Sequence, residues 1–207
     1  MVVEMPRRSK YSFSMLLLII VFMFGVIVGY IVAQEIMPEK NVEQTDIIQL
    51  PSNSIVFLPD KEYLGKLLQI LDNANKSVHV VMYVVKYDPR EVDDPVNTIL
   101  EKLVELRGKG LDVKIVVDDE TYESYQDTIE YLKYNNIPVK LDESRSRTTH
   151  AKIVIIDEEV VLIGSHNWTE SALSNNHETT LMVYSKDLAE QVVDYFYRIW
   201  SNGRTIS

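Results

Sequence analysis

The apolar residues of this chain fall into three patterns, and each predicts a different kind of segment. From Met15 to Ala33 they run without a charged residue. As a helix rising about 1.5 Å per residue, such a run spans nearly the hydrocarbon thickness of a bilayer. From Gln34 to Asn53 the pattern is lost: the segment is polar, contains Pro38 and Pro51, and reads as a linker. From Ser54 onward, short β-branched runs alternate with apolar positions at helical spacing. Ile55–Leu58 predicts a strand, Leu64, Leu67, Leu68 and Leu71 a helix, and Ser77–Val85 a buried strand. Asp94 followed by Pro95, then Ile99, Leu100, Leu103 and Val104, with Gly108 behind them, predicts a capped helix. Leu111–Val117, a helix through Ile129 and Leu132, and Ile137–Leu141 continue the alternation. A helix carrying Leu188, Val192, Phe196 and Ile199 closes the chain over the sheet. Residues 54–207 are thus expected to form one α/β layered domain, a mixed sheet flanked by helices.

The stretch from His150 to Glu178 carries the polar groups with a chemical purpose. Ile153–Ile156 and Val160–Ile163 predict two strands of a hairpin around the acidic turn Asp157, Glu158 and Glu159. His150 and Lys152 stand two apart, so their side chains leave one face and can meet a single anion. Ser165 and Asn167, in the loop after Gly164, bring a hydroxyl and an amide towards the same place.

His150, Lys152 and Asp157 form H-x-K-x4-D, and Gly164-Ser165-x-Asn167 follows at close range. The whole resembles the HKD signature of the phospholipase D superfamily, within which the nearest likeness is to small single-motif members, a bacterial endonuclease and mitochondrial cardiolipin hydrolase. The resemblance implies a phospholipase D-like fold over roughly Ile55 to Trp200. It also implies pairing of two motif copies across a two-fold axis. This chain holds one H-x-K-x4-D and no internal duplication, so a homodimer with one composite site is expected.

A phosphodiester needs a nucleophile, clamps for its non-bridging oxygens and an acid for the leaving oxygen. His150 can attack phosphorus through one ring nitrogen when a carboxylate holds the other. Glu178 is the candidate carboxylate, because it lies just past the loop and family members carry an acidic residue there. Lys152 and Asn167 would clamp the phosphoryl oxygens, with Ser165 adding a hydroxyl, and His150 of a second copy would protonate the leaving group. Asp157 is read as a structural acceptor at the hairpin turn, supporting the site from a distance. No metal or cofactor is called for.

Other ionisable residues receive plainer readings. His79, inside an apolar strand, is structural, and His166 and His177 are loop residues. His177-Glu178 lacks the second histidine of a zinc helix motif. Asp118 and Asp119 read as a solvated turn rather than a cation site.

Composition adds three constraints. With no cysteine, disulfides and thiolate metal sites are excluded. A formal net charge of −10 opposes a polyanionic partner at long range, although Lys140, Arg145, Arg147 and Lys152 could form a local positive funnel. Arg7, Arg8 and Lys10 precede the apolar run and Glu35 and Glu39 follow it. Residues 1–14 are therefore expected in the cytoplasm, 15–33 as an uncleaved single-pass anchor, 34–53 as linker, and the catalytic domain outside. A cleaved signal peptide is the weaker alternative, since the run is long and Ile31 is a poor residue before a cleavage site. Phospholipid or nucleic acid would be the substrate of such a protein.

Overall fold

The computed structural model describes residues 11–36, 48, 50, 51 and 54–206, with side chains left undescribed at 11–14, 16, 19 and 30–36. The chain divides into two compact units, Met1–Ile47 and Ile48–Ser207. In the first, helix α1 (Tyr11–Ile36) extends past both ends of the expected span. Met15, Leu18, Phe22 and Phe24 are exposed on it. Among the described residues no helix is long and apolar enough to cross a membrane. The predicted span includes Leu16, Ile19 and 30–33, whose side chains lie outside that description. Residues 1–10 and most of the expected linker also lie outside the described residues.

In the second unit the elements follow as β1 (Ile55–Pro59), α2 (Glu62–Leu71), β2 (Ser77–Met82), α3 (Pro95–Gly108), β3 (Asp112–Val117), α4 (Asp119–Ser124), α5 (Gln126–Tyr134) and β4 (Val139–Leu141). Then come β5 (Lys152–Ile156), β6 (Val160–Gly164), α6 (Glu170–Ser174), β7 (Thr179–Tyr184), α7 (Lys186–Asn202) and β8 (Arg204–Thr205). They build an eight-stranded sheet in the order β1-β7-β6-β5-β2-β3-β4-β8. Only the β2·β3 and β3·β4 pairs are parallel, so the sheet is mixed.

Alternation along the strands sorts the core into two layers. Val78, Val80 and Met82 of β2, with Val154 and Ile156 of β5, face a layer built from Leu67, Leu71, Ile99, Leu103, Ile129 and Leu132. Val81, Ile153, Ile155 and Val161 face the other way, under Ala189, Phe196 and Ile199 of α7. Because both faces are covered, all six residues of β2 are buried. His79, also on β2, lies stacked on Phe196 of α7 with ring centroids 4.7 Å apart, and its Nε2 is 3.0 Å from Asp112 Oδ2.

The α3 cap forms as its sequence requires: Asp94 accepts from Val96 N and Asn97 N, and Pro95 opens the helix. β2 is shorter than the apolar run that predicts it. After Met82 the backbone leaves the ladder for side-chain partners, Val85 N donating to Thr121 Oγ1 at 3.1 Å and Val85 O accepting from Thr128 Oγ1 at 2.9 Å.

At the hairpin between β5 and β6, Asp157 and Glu158 both adopt positive φ, 57° and 58°, the hand that matches strand twist in a tight hairpin. The Asp157 carboxylate accepts from the backbone amides of Asn75 at 2.9 Å, Lys76 at 2.7 Å and Ser77 at 3.0 Å. Five residues of strand at about 3.3 Å each put it roughly 16 Å from Lys152, and farther still along the chain from His150. Asp157→Ala strands three amides and strains a left-handed position, so it should lower unfolding free energy by about 3 kcal/mol. Urea denaturation measures this, and kcat per folded molecule should be retained.

Candidate active site

The segment before β5 is pinned at Thr149. Its amide donates to Asp118 Oδ2 at 2.6 Å and its hydroxyl to Asp142 Oδ2 at 2.7 Å. Both acids are buried. Arg204 of β8 completes the support, donating from Nη2 to Asp119 Oδ2 at 2.6 Å and from Nε to Asp142 O at 2.9 Å. Asp118 and Asp119 therefore form no solvated turn. Asp118 caps α4 by accepting from Glu120 N, and Asp119 is tied to the C-terminal strand.

On this fixed backbone His150 is exposed and Lys152 is buried. Lys152 Nζ donates to His150 O at 2.8 Å and lies 3.1 Å from His150 Nδ1. Tyr83 sits beneath both, its ring centroid 4.5 Å from that of His150 and 4.9 Å from Lys152 Nζ. Burial lowers the Lys152 pKa from its ordinary value, while the Glu178 and Asp118 carboxylates act against that shift. A lysine so placed is less tightly hydrated than a surface ammonium and offers its charge at close range to an anion.

The other half of the site comes from β6 and β7. Ser165 Oγ donates to Glu178 Oε2 and accepts from Thr179 N at 3.0 Å. Glu178 Oε1 accepts from Asn176 Nδ2 at 3.1 Å. Glu178 thus meets Ser165 directly and Lys152 through its field, and among the described residues no hydrogen bond joins it to His150. Asn167 is half-buried, with Oδ1 buried and lacking a hydrogen-bond partner. That inward oxygen leaves Nδ2 as the donor a phosphoryl oxygen would meet. The next residue holds the loop in place: Trp168 N donates to Val84 O at 3.0 Å, and its indole to Tyr63 Oη at 3.0 Å.

His166 lies in the loop after β6, as expected, but it is buried rather than solvated. It is 1% exposed and stacked on Tyr63 with centroids 4.4 Å apart. Nε2 donates to Asp60 O at 2.9 Å, so Nδ1 accepts from the Thr180 hydroxyl at 2.8 Å. Asp60, which no motif singles out, joins β1 to this region. Its Oδ1 accepts from Glu178 N at 2.9 Å, and Oδ2 lies 3.2 Å from Nδ1 of the fully exposed His177 side chain. The Glu178 amide, with His177, holds the Asp60 carboxyl below its ordinary pKa. The expected positive funnel is also revised. Lys140 donates to Trp200 O at 2.8 Å and Arg147 pairs with Glu143, leaving Lys152 as the cation of that group bonded to His150.

Burial pushes the His166 imidazole below its ordinary pKa of 6.5, and burial likewise lowers His79, with Asp112 opposing. The fold therefore favours both rings neutral. Their contribution is fully present above the unfolded pKa, about 6.5, and is lost as pH falls through it towards the depressed folded values. The urea midpoint should fall between pH 7.5 and 5.5, and His166→Gln should reduce that slope. An unchanged midpoint in the wild type would contradict it.

Fold and site together define an α/β domain whose mixed sheet sets an exposed histidine against a buried lysine at a strand end. The family model described as cardiolipin synthase, PLD-like domain, matches residues 67–200, and the chain belongs to that phospholipase D-like family. The mitochondrial cardiolipin hydrolase of Chlamydomonas reinhardtii is 26% identical over 137 residues, 66% of this chain and 57% of that protein. The phospholipase D of Rickettsia typhi is 25% identical over 170 residues, 81% of this chain and 78% of that protein. Among solved structures, Nuc of Salmonella typhimurium, titled a phospholipase D family member, superposes with a TM-score of 0.62 at 25% identity, covering 73% of this chain and 96% of that one. The chain spans 57% of the algal and 64% of the mouse cardiolipin hydrolase.

Proposed function

We propose that the protein is a phosphodiesterase of the phospholipase D type acting through a phosphohistidine. His150 attacks phosphorus, the P–O bond to the leaving alcohol breaks, and that oxygen takes a proton from an acid. Water then attacks the phosphohistidine as its proton passes to the base left by that acid, and the P–N bond breaks to release the phosphomonoester and free His150. Lys152 and Asn167 hold the non-bridging oxygens, Ser165 adds its hydroxyl, and Glu178, the carboxylate expected to hold His150, acts instead through its bond to Ser165 and its field at Lys152. The observation that carries this reading is an exposed His150 held against a buried Lys152 by a backbone pinned at both faces of the strand end.

The acid is assigned to His150 of a second copy. Within one chain the other nearby histidines are engaged: His166 is buried with both ring nitrogens bonded, and His177 is paired with Asp60. A homodimer with one composite site follows. When wild-type chains are mixed with excess His150→Ala chains, activity should fall with the square of the wild-type fraction. A fall in simple proportion would mean that each chain works alone.

The substrate reading leans to phospholipid head groups. The net charge of −10 opposes a nucleic acid at long range, the similar proteins include cardiolipin hydrolases, and the apolar run of α1 suits a single-pass anchor with the domain outside the cytoplasm. The second reading, a membrane-anchored endonuclease, is favoured by the near-complete coverage of the Nuc chain. An inactive binding module is the third. Turnover of bis(p-nitrophenyl) phosphate separates enzyme from module, and parallel assays on cardiolipin liposomes and plasmid DNA separate the two enzymes. Plasmid cleavage with intact lipid would reverse the lean.

A further inference from the structure

Three carboxylates outside the catalytic centre gather where the loop between β2 and α3 meets α6. Glu91, Asp94 and Glu170 each place an oxygen within 4.8 Å of the others. The two glutamates are exposed, whereas Asp94 is 3% exposed. The oxygens of Asp94 differ in their surroundings. Oδ1 accepts from Val96 N at 2.6 Å and Asn97 N at 3.3 Å, while Oδ2 is buried and has no hydrogen-bond partner. A buried carboxylate oxygen without a donor is unfavourable, and two further anions beside it add repulsion. The frame that carries them is set by Asn97, whose Nδ2 donates to Asp88 O at 2.7 Å and Glu91 O at 2.8 Å, and whose Oδ1 accepts from Asp88 N at 3.1 Å.

We propose that Glu91, Asp94 and Glu170 bind a divalent cation of the Ca²⁺ type, which fastens the β2–α3 loop to α6. Carboxylate oxygens are the ligands hard cations take. At about 2.4 Å from Ca²⁺, two ligands on opposite sides stand about 4.8 Å apart, so oxygens within that limit fit one coordination sphere. Mg²⁺ keeps several of its waters and is usually bound through only one or two carboxylates, so a site of three suits it less. The N-terminal dipole of α3 opposes a cation with about half a charge, which three carboxylates outweigh. The cation supplies what Oδ2 lacks without disturbing the cap at Oδ1.

The site would act on stability and positioning, since none of its residues belongs to the proposed chemistry. α6 begins three residues after Asn167. Trp168 already links its own segment to the strand end through Lys86 N to Trp168 O at 2.8 Å, and the cation would add a second fastening of that segment.

The test uses the full chain, stripped with EDTA and then titrated with CaCl₂ or MgCl₂ while thermal unfolding is followed, with Tb³⁺ luminescence as a direct binding readout. Ca²⁺ up to about 10 mM should raise Tm by about 3–5 °C, Mg²⁺ by less. The double variant Glu91→Gln, Glu170→Gln keeps the Asp94 cap. It should fold, melt in EDTA at or above the stripped wild type because repulsion is relieved, and lose both the Ca²⁺ response and the Tb³⁺ signal. A wild type indifferent to Ca²⁺, or a double variant that responds equally, overturns the site. An equal response to Mg²⁺ overturns its assignment to Ca²⁺.

Discussion

His150→Ala should lower kcat/KM on the order of 10⁴-fold or more while leaving the melting temperature nearly unchanged. The two halves of that expectation have separate causes. The loss follows from removing the atom proposed to bond phosphorus, for which no other described side chain substitutes. The stability follows from exposure: His150 lies on the surface, and its chief contacts are the Tyr83 ring and Lys152 Nζ. Lys152 also bonds to the backbone oxygen of residue 150, which alanine retains, so the phosphate clamp should stay in place. A folded His150→Ala protein that kept most of its turnover would end the phosphohistidine mechanism.

Gly164→Ala should be the most damaging single methyl in the domain. A Cβ built there would lie 2.1 Å from Thr179 O, 2.4 Å from Thr180 Oγ1 and 2.5 Å from Thr180 Cα. Two of these are backbone atoms of the neighbouring strand, so no rotamer change can relieve the clash. β6 and β7 would have to separate beside the place where Ser165 meets Glu178 and Thr180 meets His166. The expected loss is about 3 kcal/mol or more, together with reduced activity in whatever folds. Gly65→Ala is the matched control: it sits inside α2 with nothing within 4 Å of the added atom. It should stabilise by roughly 0.5–1 kcal/mol through helix propensity. Equal Tm values for the two variants would refute the steric account.

The elements set by local rules were legible in the sequence. The Asp94-Pro95 start of α3 and the hairpin around Asp157 each depend on residues within a few positions of one another, and both appear in the structure. The contact between His150 and Lys152 could be anticipated because strand alternation alone suffices to predict it. Less was legible where tertiary partners decide. Val85 belongs to an apolar run, yet Thr121 and Thr128 draw its backbone out of the ladder. α4 and α6, of 6 and 5 residues, are too short to show a period. Asp118, Asp142 and Arg204 hold Thr149 through contacts that no spacing rule reports, and nothing local to the loop at His166 announces its burial among Tyr63, Thr180 and Asp60. Asp60 carries no local sign of its role at all.

That last residue sets the timing of assembly. Asp60 and the Glu178 amide it holds are 118 residues apart in the chain, and β1 finds its neighbour only when β7 arrives. At roughly 5–20 residues per second on the ribosome, about 6–24 s separate the synthesis of the two. Through that interval β1 is an open edge carrying Ile55 and Phe57, side chains that stay half exposed even after pairing. The strand made first is among the last to be fixed, and the carboxylate of the site cannot be seated before it.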